Sequence, residues 1–232
     1  MKFNDYFNSV VCINLVERPD KKEQAQQRFD KFDIEVEWFH PVILGFAPKI
    51  ISSIVDSGSG HFNKQYPNEI SCAIAHYTVI KTAYERCIEK LFVFEDDVLF
   101  HRDFNKLFDK YMDAAPVNWD MLMLYSFMFK ILPENIRINS RWIKSFKAWS
   151  HMAYAMNRKM MKGYLDLMDR MFMIADHASF VLEEQPGFNI YSAVPTLCIP
   201  DASLGSNIRG KEMNYAQTNT AINMGINNEN YV

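Results

Sequence analysis

The chain has little of what marks several large classes of protein. It contains four cysteines and no Cys-x-x-Cys pair, which excludes the common cysteine-based zinc motifs. No stretch approaches the roughly 18 uninterrupted apolar residues of a membrane-spanning helix, and the apolar segment 10–15 is too short for a signal peptide. A formal net charge of −3 provides no basic field for nucleic acid. We therefore expect a cytoplasmic protein with buried, reduced cysteines, no nucleic-acid partner and at most a peripheral association with a membrane.

What the chain does have is the composition of an ordinary globular domain. Of its 232 residues, 49% are hydrophobic and 23% are charged, and this length suits one sizeable domain. From residue 211 onwards asparagine dominates and periodicity disappears. We therefore assign residues 1–210 to the domain and predict a polar, flexible tail over 211–232.

Apolar runs alternate with helical patterns along the domain. Strands are predicted at 9–15, 35–39, 91–94, 121–125, 151–156 and 190–193. Helices are predicted at 19–32, 68–87, 104–112 and 157–168, with Asn68 and Asn157 as N-caps. A long loop rich in glycine and proline is expected at 40–67, and a hairpin at 128–147. Strands that alternate with helices predict an α/β fold with a mostly parallel sheet.

The most informative stretch is the apolar run 91–94, which ends in three consecutive carboxylates, Glu95, Asp96 and Asp97. Adjacent carboxylates raise one another's pKa unless positive charge lies among them. Open α/β sheets bind ligands beyond the carboxyl ends of their strands, where these acids fall. A divalent cation that holds a phosphorylated substrate would account for this placement. An acidic turn exposed to solvent is the simpler alternative.

Two candidate positions precede the acidic strand. Asn14 ends the first strand, and Arg18 stands where the next helix begins. A cation beside the free amides of a helix N-terminus suits a diphosphate or a nucleobase, although charged helix starts are common. His76 lies beside the apolar face of the helix at 68–87, where a packing role is the usual one.

Two more candidate positions follow the acidic strand. Asp176 comes directly after an apolar stretch, so it is either a general base whose pKa is raised by burial or a helix N-cap. Glu183 and Glu184 follow within two turns. The segment from Ser206 to Arg209 is a polar turn bounded by glycines, which could close over phosphates or be an ordinary turn.

Taken in order, these segments resemble glycosyltransferase family 25. This family includes the lipooligosaccharide galactosyltransferases of lipopolysaccharide biosynthesis and the procollagen galactosyltransferases. The matching segments are Ile13-Asn14-Leu15, Arg18-Pro19-Asp20, Asn68 to His76, Glu95-Asp96-Asp97-Val98, Trp119-Asp120, His151 to Tyr154 and Ser206-Asn207-Ile208. The similarity covers about residues 9–210. The chain departs from the family pattern at two glycines, a serine and an aspartate, which are replaced by Asn68, Ser71, Ala75 and Asn207.

The resemblance implies a single-domain, Rossmann-like nucleotide-sugar glycosyltransferase fold of the GT-A type. It further implies a metal-dependent, inverting transfer of a hexose, most often galactose, from a UDP-hexose donor to a hydroxyl of a glycan, a lipid-linked glycan or a protein. Asp97, with Glu95 or Asp96, would form a DxD-like motif that binds Mn²⁺ or Mg²⁺, since hard cations favour oxygen ligands.

The resemblance also implies roles for the other candidate residues. Those expected to contact the nucleotide sugar are Asn14, Arg18, His76, Glu95, Asp96, Ser206 and Arg209. Asp176 is the first choice for the general base, followed by Glu183 and Glu184. Two alternatives stay open: a non-catalytic relative that binds a sugar or a partner, and a sugar nucleotidyltransferase, for which the chain lacks a glycine-rich basic loop after the first strand.

Overall fold

The computed structural model describes residues 2–41, 67–128, 137–145, 148–205 and 226–232. The strands in chain order are β1 (Ser9–Ile13), β2 (Glu37–Phe39), β3 (Lys90–Glu95), β4 (Val98–Phe100), β5 (Met121–Met123), β6 (Phe127–Met128), β7 (Trp142–Lys144), β8 (Ala148–Trp149), β9 (Ala153–Asn157), β10 (Ile190–Ala193) and β11 (Cys198–Pro200). The helices are α1 (Pro19–Lys31), α2 (Pro67–Glu85), α3 (Phe104–Asp113), α4 (Arg158–Arg170) and α5 (Ala175–Glu183).

A seven-stranded sheet in the order β2-β1-β3-β9-β5-β10-β7 forms the centre of the molecule. Strands β2, β1 and β3 are mutually parallel, and β5 is parallel to β10. Strand β9 lies antiparallel between β3 and β5, and β7 is antiparallel on the edge. Because β9 reverses direction between them, β3 and β5 point the same way. The predicted α/β class with a mostly parallel sheet is confirmed.

The two faces of strand β3 contribute to two different layers of the hydrophobic core. Side chains alternate between the faces of a strand, so Phe92 and Phe94 enter an aromatic layer that includes residues of α1 and α3. Leu91 and Val93 point to the other face and pack among residues of α2, α4 and α5. All four are fully buried, as the apolar run predicts. Burial on both faces holds the carboxyl end of β3 in a fixed place.

Several local predictions are confirmed and others need correction. Asn157 caps α4, and its side chain accepts a hydrogen bond from the Met160 amide. The helix α2 begins at Pro67, so Asn68 lies inside the first turn, because proline suits the first helical position. Within the predicted hairpin 128–147, Arg137 and Ile143 form an isolated antiparallel bridge, while β7 pairs with β10 of the main sheet. Met128 pairs with Ala148, one residue beyond the predicted hairpin. The predicted loop 40–67 lies almost wholly outside the described residues. None of the helices in the described ranges is long and apolar enough to cross a membrane.

The end of the chain packs on the domain. Tyr231 is buried, and its hydroxyl donates a hydrogen bond to the Thr196 carbonyl at 2.8 Å. Val232 exchanges two backbone hydrogen bonds with Phe100 of β4. Residues 226–232 therefore belong with the domain rather than with the predicted flexible tail. The rest of that predicted tail lies outside the described residues up to 225, and the domain boundary itself stays a prediction.

Removing the Tyr231 ring is expected to destabilise the fold. Tyr231→Ala should lower the free energy of unfolding by about 3 kcal/mol because it empties a buried aromatic position. Tyr231→Phe should cost only about 1 kcal/mol, the net value of one hydrogen bond. Chemical denaturation of both variants measures these losses. Equal stability of Tyr231→Ala and the wild type would show that the end of the chain is not held in this position.

Candidate functional site

The candidate site lies where two parallel strands end side by side. In the register of β1 and β3, Ile13 is paired with Glu95, so the next residues of each strand, Asn14 and Asp96, become neighbours. The side-chain amide of Asn14 (Nδ2) donates a hydrogen bond to Asp96 Oδ2 at 2.7 Å and a second one to the Arg18 backbone carbonyl at 3.1 Å. The end of β1 and the acids at the end of β3 therefore lie side by side.

A lysine that sequence reasoning overlooked supplies the positive charge among the acids. Lys21 Nζ lies 3.6 Å from Asp96 Oδ1 and 3.6 Å from Asp97 Oδ2, and its side chain is only 1% exposed. It is the third residue of α1, the first helix after β1. The first turn of this helix therefore lies beside the acids. In the sequence Lys21 looks like part of a charged helix surface. Only the neighbourhood of β1 and β3 reveals its position.

Asp97 has a carboxylate oxygen that accepts no hydrogen bond from the described residues. Asp96 and Asp97 form the tight turn between β3 and β4, and the Asp97 carbonyl accepts a hydrogen bond from the Asp201 amide. Asp97 Oδ1 is buried and accepts no hydrogen bond within the described part of the chain. Burial first, and then the negative charge of Glu95, raise the pKa of Asp97 to about 7. A desolvated carboxylate that keeps one oxygen without a hydrogen bond beside its contact with Lys21 is suited to a cation.

His76 connects the acids to the neighbouring strand. Its Nε2 lies 3.1 Å from Glu95 Oε1, and its Nδ1 lies 3.0 Å from the Tyr154 hydroxyl of β9. The imidazole is 1% exposed. Both ring nitrogens thus have polar partners, which fixes the ring orientation and holds Glu95 in place. This arrangement favours a role in the site over the packing role that is usual for a helical histidine.

An open cleft of about 120 Å³ runs along these residues. The ends of β1 and β3 and the first turns of α2 line it. The lining includes Asn14, Lys21, Cys72, His76, Glu95, Asp96 and Asp97. Of the predicted site positions, Asn14, His76, Glu95, Asp96 and Asp97 therefore face one common space.

The predicted base lies close to this cleft without lining it. Asp176 is in the first turn of α5, and its Oδ2 accepts a hydrogen bond from the Ser150 amide at 3.2 Å. The N-cap alternative is wrong, because Ile174 holds that position. Burial, followed by the charge of Glu95, raises the pKa of Asp176. Glu183 and Glu184 stand at the far end of α5, about 10 Å further along the helix axis.

Arg18 holds the N-cap position of α1 and is not among the residues that line the cleft. Its guanidinium forms two hydrogen bonds with the Asp20 carboxylate at 2.9 and 2.7 Å and donates to the Leu204 carbonyl at 3.1 Å. The Arg18 contact lowers the pKa of Asp20 to about 2. Arg18 thereby fixes the segment that leads to the predicted turn. Ser206 and Arg209 of that turn lie outside the described residues.

The cysteines differ from the prediction that all four are buried. Cys12 and Cys198 are buried, but Cys87 is exposed and Cys72 is partly exposed. Cys87 has a positive φ of 57° just beyond the end of α2, which turns it to the surface. Cys72 faces the cleft, so its exposure belongs to the site.

Comparison with known proteins places these features in context. The family model described as "Glycosyltransferase family 25 (LPS biosynthesis protein)" matches residues 7–178. Human procollagen galactosyltransferase 2 is 27% identical over 130 residues, covering 51% of this chain and 20% of that protein. The procollagen lysyl hydroxylase and glycosyltransferase of Acanthamoeba polyphaga mimivirus is 26% identical over 179 residues, covering 66% of this chain and 19% of that protein.

A third relative carries a different description. The human "Inactive glycosyltransferase 25 family member 3" is 25% identical over 130 residues, covering 51% of this chain and 22% of that protein. The chain spans about a fifth of the length of these relatives. Among solved structures, a glycosyltransferase involved in the glycosylation of the major capsid of PBCV-1 has a TM-score of 0.44 and 10% identity, covering 79% of each chain.

Proposed function

Since this chain belongs to glycosyltransferase family 25, we propose that it transfers a hexose, with galactose as the first candidate, from a UDP-hexose to a hydroxyl group. The acceptor is a glycan, a lipid-linked glycan or a protein. The observation that carries the proposal is the cleft at the ends of β1 and β3, where Asn14 and Lys21 hold the acids in place. This is the edge of an α/β sheet at which nucleotides bind.

A divalent cation fits the acids of this cleft. Three carboxylates against the single ammonium of Lys21 leave an excess of negative charge when all are ionised, and a divalent cation would offset it. Both oxygens of Asp96 are engaged by Asn14 and Lys21. We therefore assign the cation to Asp97, through its unpaired Oδ1, together with Glu95. Oxygen ligands of this type favour Mn²⁺ or Mg²⁺, which would neutralise charge on the departing diphosphate.

The surrounding residues prepare this edge for a nucleotide sugar. Lys21 keeps Asp96 and Asp97 together despite their like charges, and Asn14 fixes the orientation of Asp96. His76 holds Glu95 from the opposite side. Such contacts set the geometry before the donor arrives, which reduces the entropy that must be lost on binding. Asn14 and Arg18 are the proposed contacts to the nucleotide.

The proposed base is Asp176. Inverting transfer requires a group that takes the proton of the acceptor hydroxyl as that oxygen attacks the anomeric carbon from the face opposite UDP. A buried carboxylate with a raised pKa suits this task better than one in free solvent. Its hydrogen bond from the Ser150 amide leaves one oxygen for the proton.

Replacing this carboxylate should separate chemistry from binding. Asp176→Asn preserves shape and can still accept the Ser150 hydrogen bond, so UDP affinity should be unchanged while kcat falls by about 10²- to 10⁴-fold. The exposed Asp166→Asn, on α4, is the matched control and should retain full activity. Steady-state kinetics and UDP titration calorimetry measure the two effects. Weakened UDP binding by Asp176→Asn would reassign this residue to the donor site.

The proposed function is tested by a screen of UDP-sugars. UDP release from each sugar is measured with and without Mn²⁺, and thermal shift reports binding independently of turnover. One UDP-hexose should be hydrolysed slowly and should raise the melting temperature in the presence of the cation. The proposal would be contradicted if no UDP-sugar released UDP and none stabilised the protein.

A non-catalytic role is the second candidate function. It is favoured by the relative that is described as inactive although its identity to this chain is similar to that of the named galactosyltransferase. The same screen separates the two functions. A non-catalytic relative would show stabilisation by a nucleotide sugar with no UDP release under any condition.

A further inference from the structure

A second group of ligand-type side chains lies beside the acids. Cys72 Sγ, a ring nitrogen of His76 and a carboxylate oxygen of Glu95 all lie within 4.8 Å of one another. Cys72 and His76 are four residues apart on α2, so both project from the same face of the helix. Glu95 meets them from the end of β3. Three donors from two rigid elements thus converge at one point.

The donor set differs in kind from that of the acids. Burial raises the pKa of the Cys72 thiol, which would release its proton to solvent as the cation binds. The resulting thiolate, an imidazole and a carboxylate together favour Zn²⁺ and related thiophilic cations over Mg²⁺ or Mn²⁺. A tetrahedral zinc site places its donor atoms about 3.5 Å apart. His76 Nε2 and Glu95 Oε1 are already 3.1 Å apart. The three donor atoms now lie within 4.8 Å of one another, so the cluster would contract around a bound cation.

A neighbouring hydroxyl prepares the histidine for coordination. The Tyr154 hydroxyl lies 3.0 Å from His76 Nδ1. When Nδ1–H donates to this hydroxyl, the lone pair of Nε2 is directed at the cluster. Histidine ligands of protein metal sites almost always have such a partner on the second nitrogen. Tyr154 is itself fully buried on β9, so the partner is fixed in position.

Charge and access also suit a cation. Glu95 is followed directly by Asp96 and Asp97, and Asp176 is near enough to interact electrostatically with both Glu95 and Cys72. Cys72, His76 and Glu95 all line the open cleft. A cation held by three protein ligands would therefore keep a fourth position open to solvent or substrate, as in zinc sites that take part in chemistry.

We propose that Cys72, His76 and Glu95 form a binding site for a thiophilic divalent cation of the zinc class. This site goes beyond the proposed transfer reaction and does not depend on it. It shares Glu95 with the cation assigned to Asp97, so filling one site withdraws a ligand from the other.

The test uses the full chain freed of metal and titrated with Co²⁺ alone. Co²⁺ bound to a thiolate produces a charge-transfer absorption band in the near ultraviolet. The band should appear in the wild type, saturate at one cation per chain and disappear when Zn²⁺ is added, because zinc binds such sites more tightly. Mg²⁺ should not displace it. Absence of the band in the wild-type protein would overturn the proposal, whatever the UDP-sugar screen shows.

Two cysteine variants assign the band to the cluster. Cys72→Ser should abolish it, whereas Cys87→Ser should leave it unchanged, because Cys87 is exposed just past the other end of the same helix. Tyr154→Phe should retain the band with an affinity about 10- to 100-fold lower. Persistence of the band in Cys72→Ser would exclude this site.

A second measurement needs no variant, which matters if Cys72→Ser folds poorly. Alkylation of each cysteine in the wild type is followed by peptide mass spectrometry with and without Co²⁺. Co²⁺ should protect Cys72 and leave the labelling rate of Cys87 unchanged. Equal labelling of Cys72 in both conditions would refute coordination by this thiol.

Discussion

Asp97→Asn is expected to reduce hexose transfer at least about 100-fold and to abolish the dependence of UDP binding on Mn²⁺. The substitution keeps the shape of the side chain but removes the charge that the proposed cation requires. It should not weaken the fold. Since burial and Glu95 raise the pKa of Asp97 in the folded protein, the ionised carboxylate opposes folding, and the neutral amide should stabilise the metal-free chain modestly.

Activity, UDP calorimetry and thermal denaturation of the same preparation separate these effects. Asp103→Asn is the matched control, because Asp103 is exposed and its side chain makes no capping hydrogen bond at the start of α3. The control should match the wild type in all three measurements. Activity at the wild-type level in Asp97→Asn would remove Asp97 from the site.

Lys21→Met is expected to produce the largest loss of stability among changes at the site. Methionine can fill the buried space, but it leaves Asp96 and Asp97 without their ammonium partner. Removing one partner of a buried ion pair typically costs about 3–5 kcal/mol. Chemical denaturation of chelator-treated protein measures the loss, with exposed Lys106→Met as the control. A loss below about 1 kcal/mol would show that Lys21 is not what holds the acids together.

Two further measurements identify the cause of that loss. The double variant Lys21→Met with Asp97→Asn should recover part of the lost stability, because one of the unpaired charges is gone. Burial and Glu95 raise the pKa of Asp97 to about 7 although Lys21 opposes them, so Asp97 of Lys21→Met should take up its proton at a higher pH than Asp97 of the wild type. The deficit of Lys21→Met should therefore shrink as the pH falls toward about 7. A carboxyl whose pKa is raised in the folded state binds its proton more tightly there, so acidification stabilises the fold.

The strands β1 and β3 and the acids that follow β3 could be predicted from sequence because each depends on local pattern. The apolar run of β3 is long and uninterrupted, and its abrupt end at Glu95 is visible in the residues themselves. Asn14 follows its strand in the same way. Parallel pairing then brings the two ends together, which is a general property of α/β sheets.

Lys21 and Cys72 could not be predicted, since their roles depend on the packing of helices against the sheet. In the sequence, Lys21 is one of several charged residues of a helix that has one face in solvent. Whether it points to solvent or to Asp96 depends on how α1 crosses β1 and β3. The packing of Tyr231 on the domain could not be predicted for a similar reason. The asparagine-rich composition around it is typical of a tail, and one aromatic residue does not change that pattern.

The place of β9 within the sheet has a consequence for how the protein folds. Strand β3 pairs on one side with β1 and on the other with β9, which comes much later in the chain. Until β9 is added, the apolar edge of β3 is open to pairing with other chains. Such long-range pairings must close large loops first, so folding is expected to be slow. The strand that presents the acids is therefore also exposed to aggregation during folding.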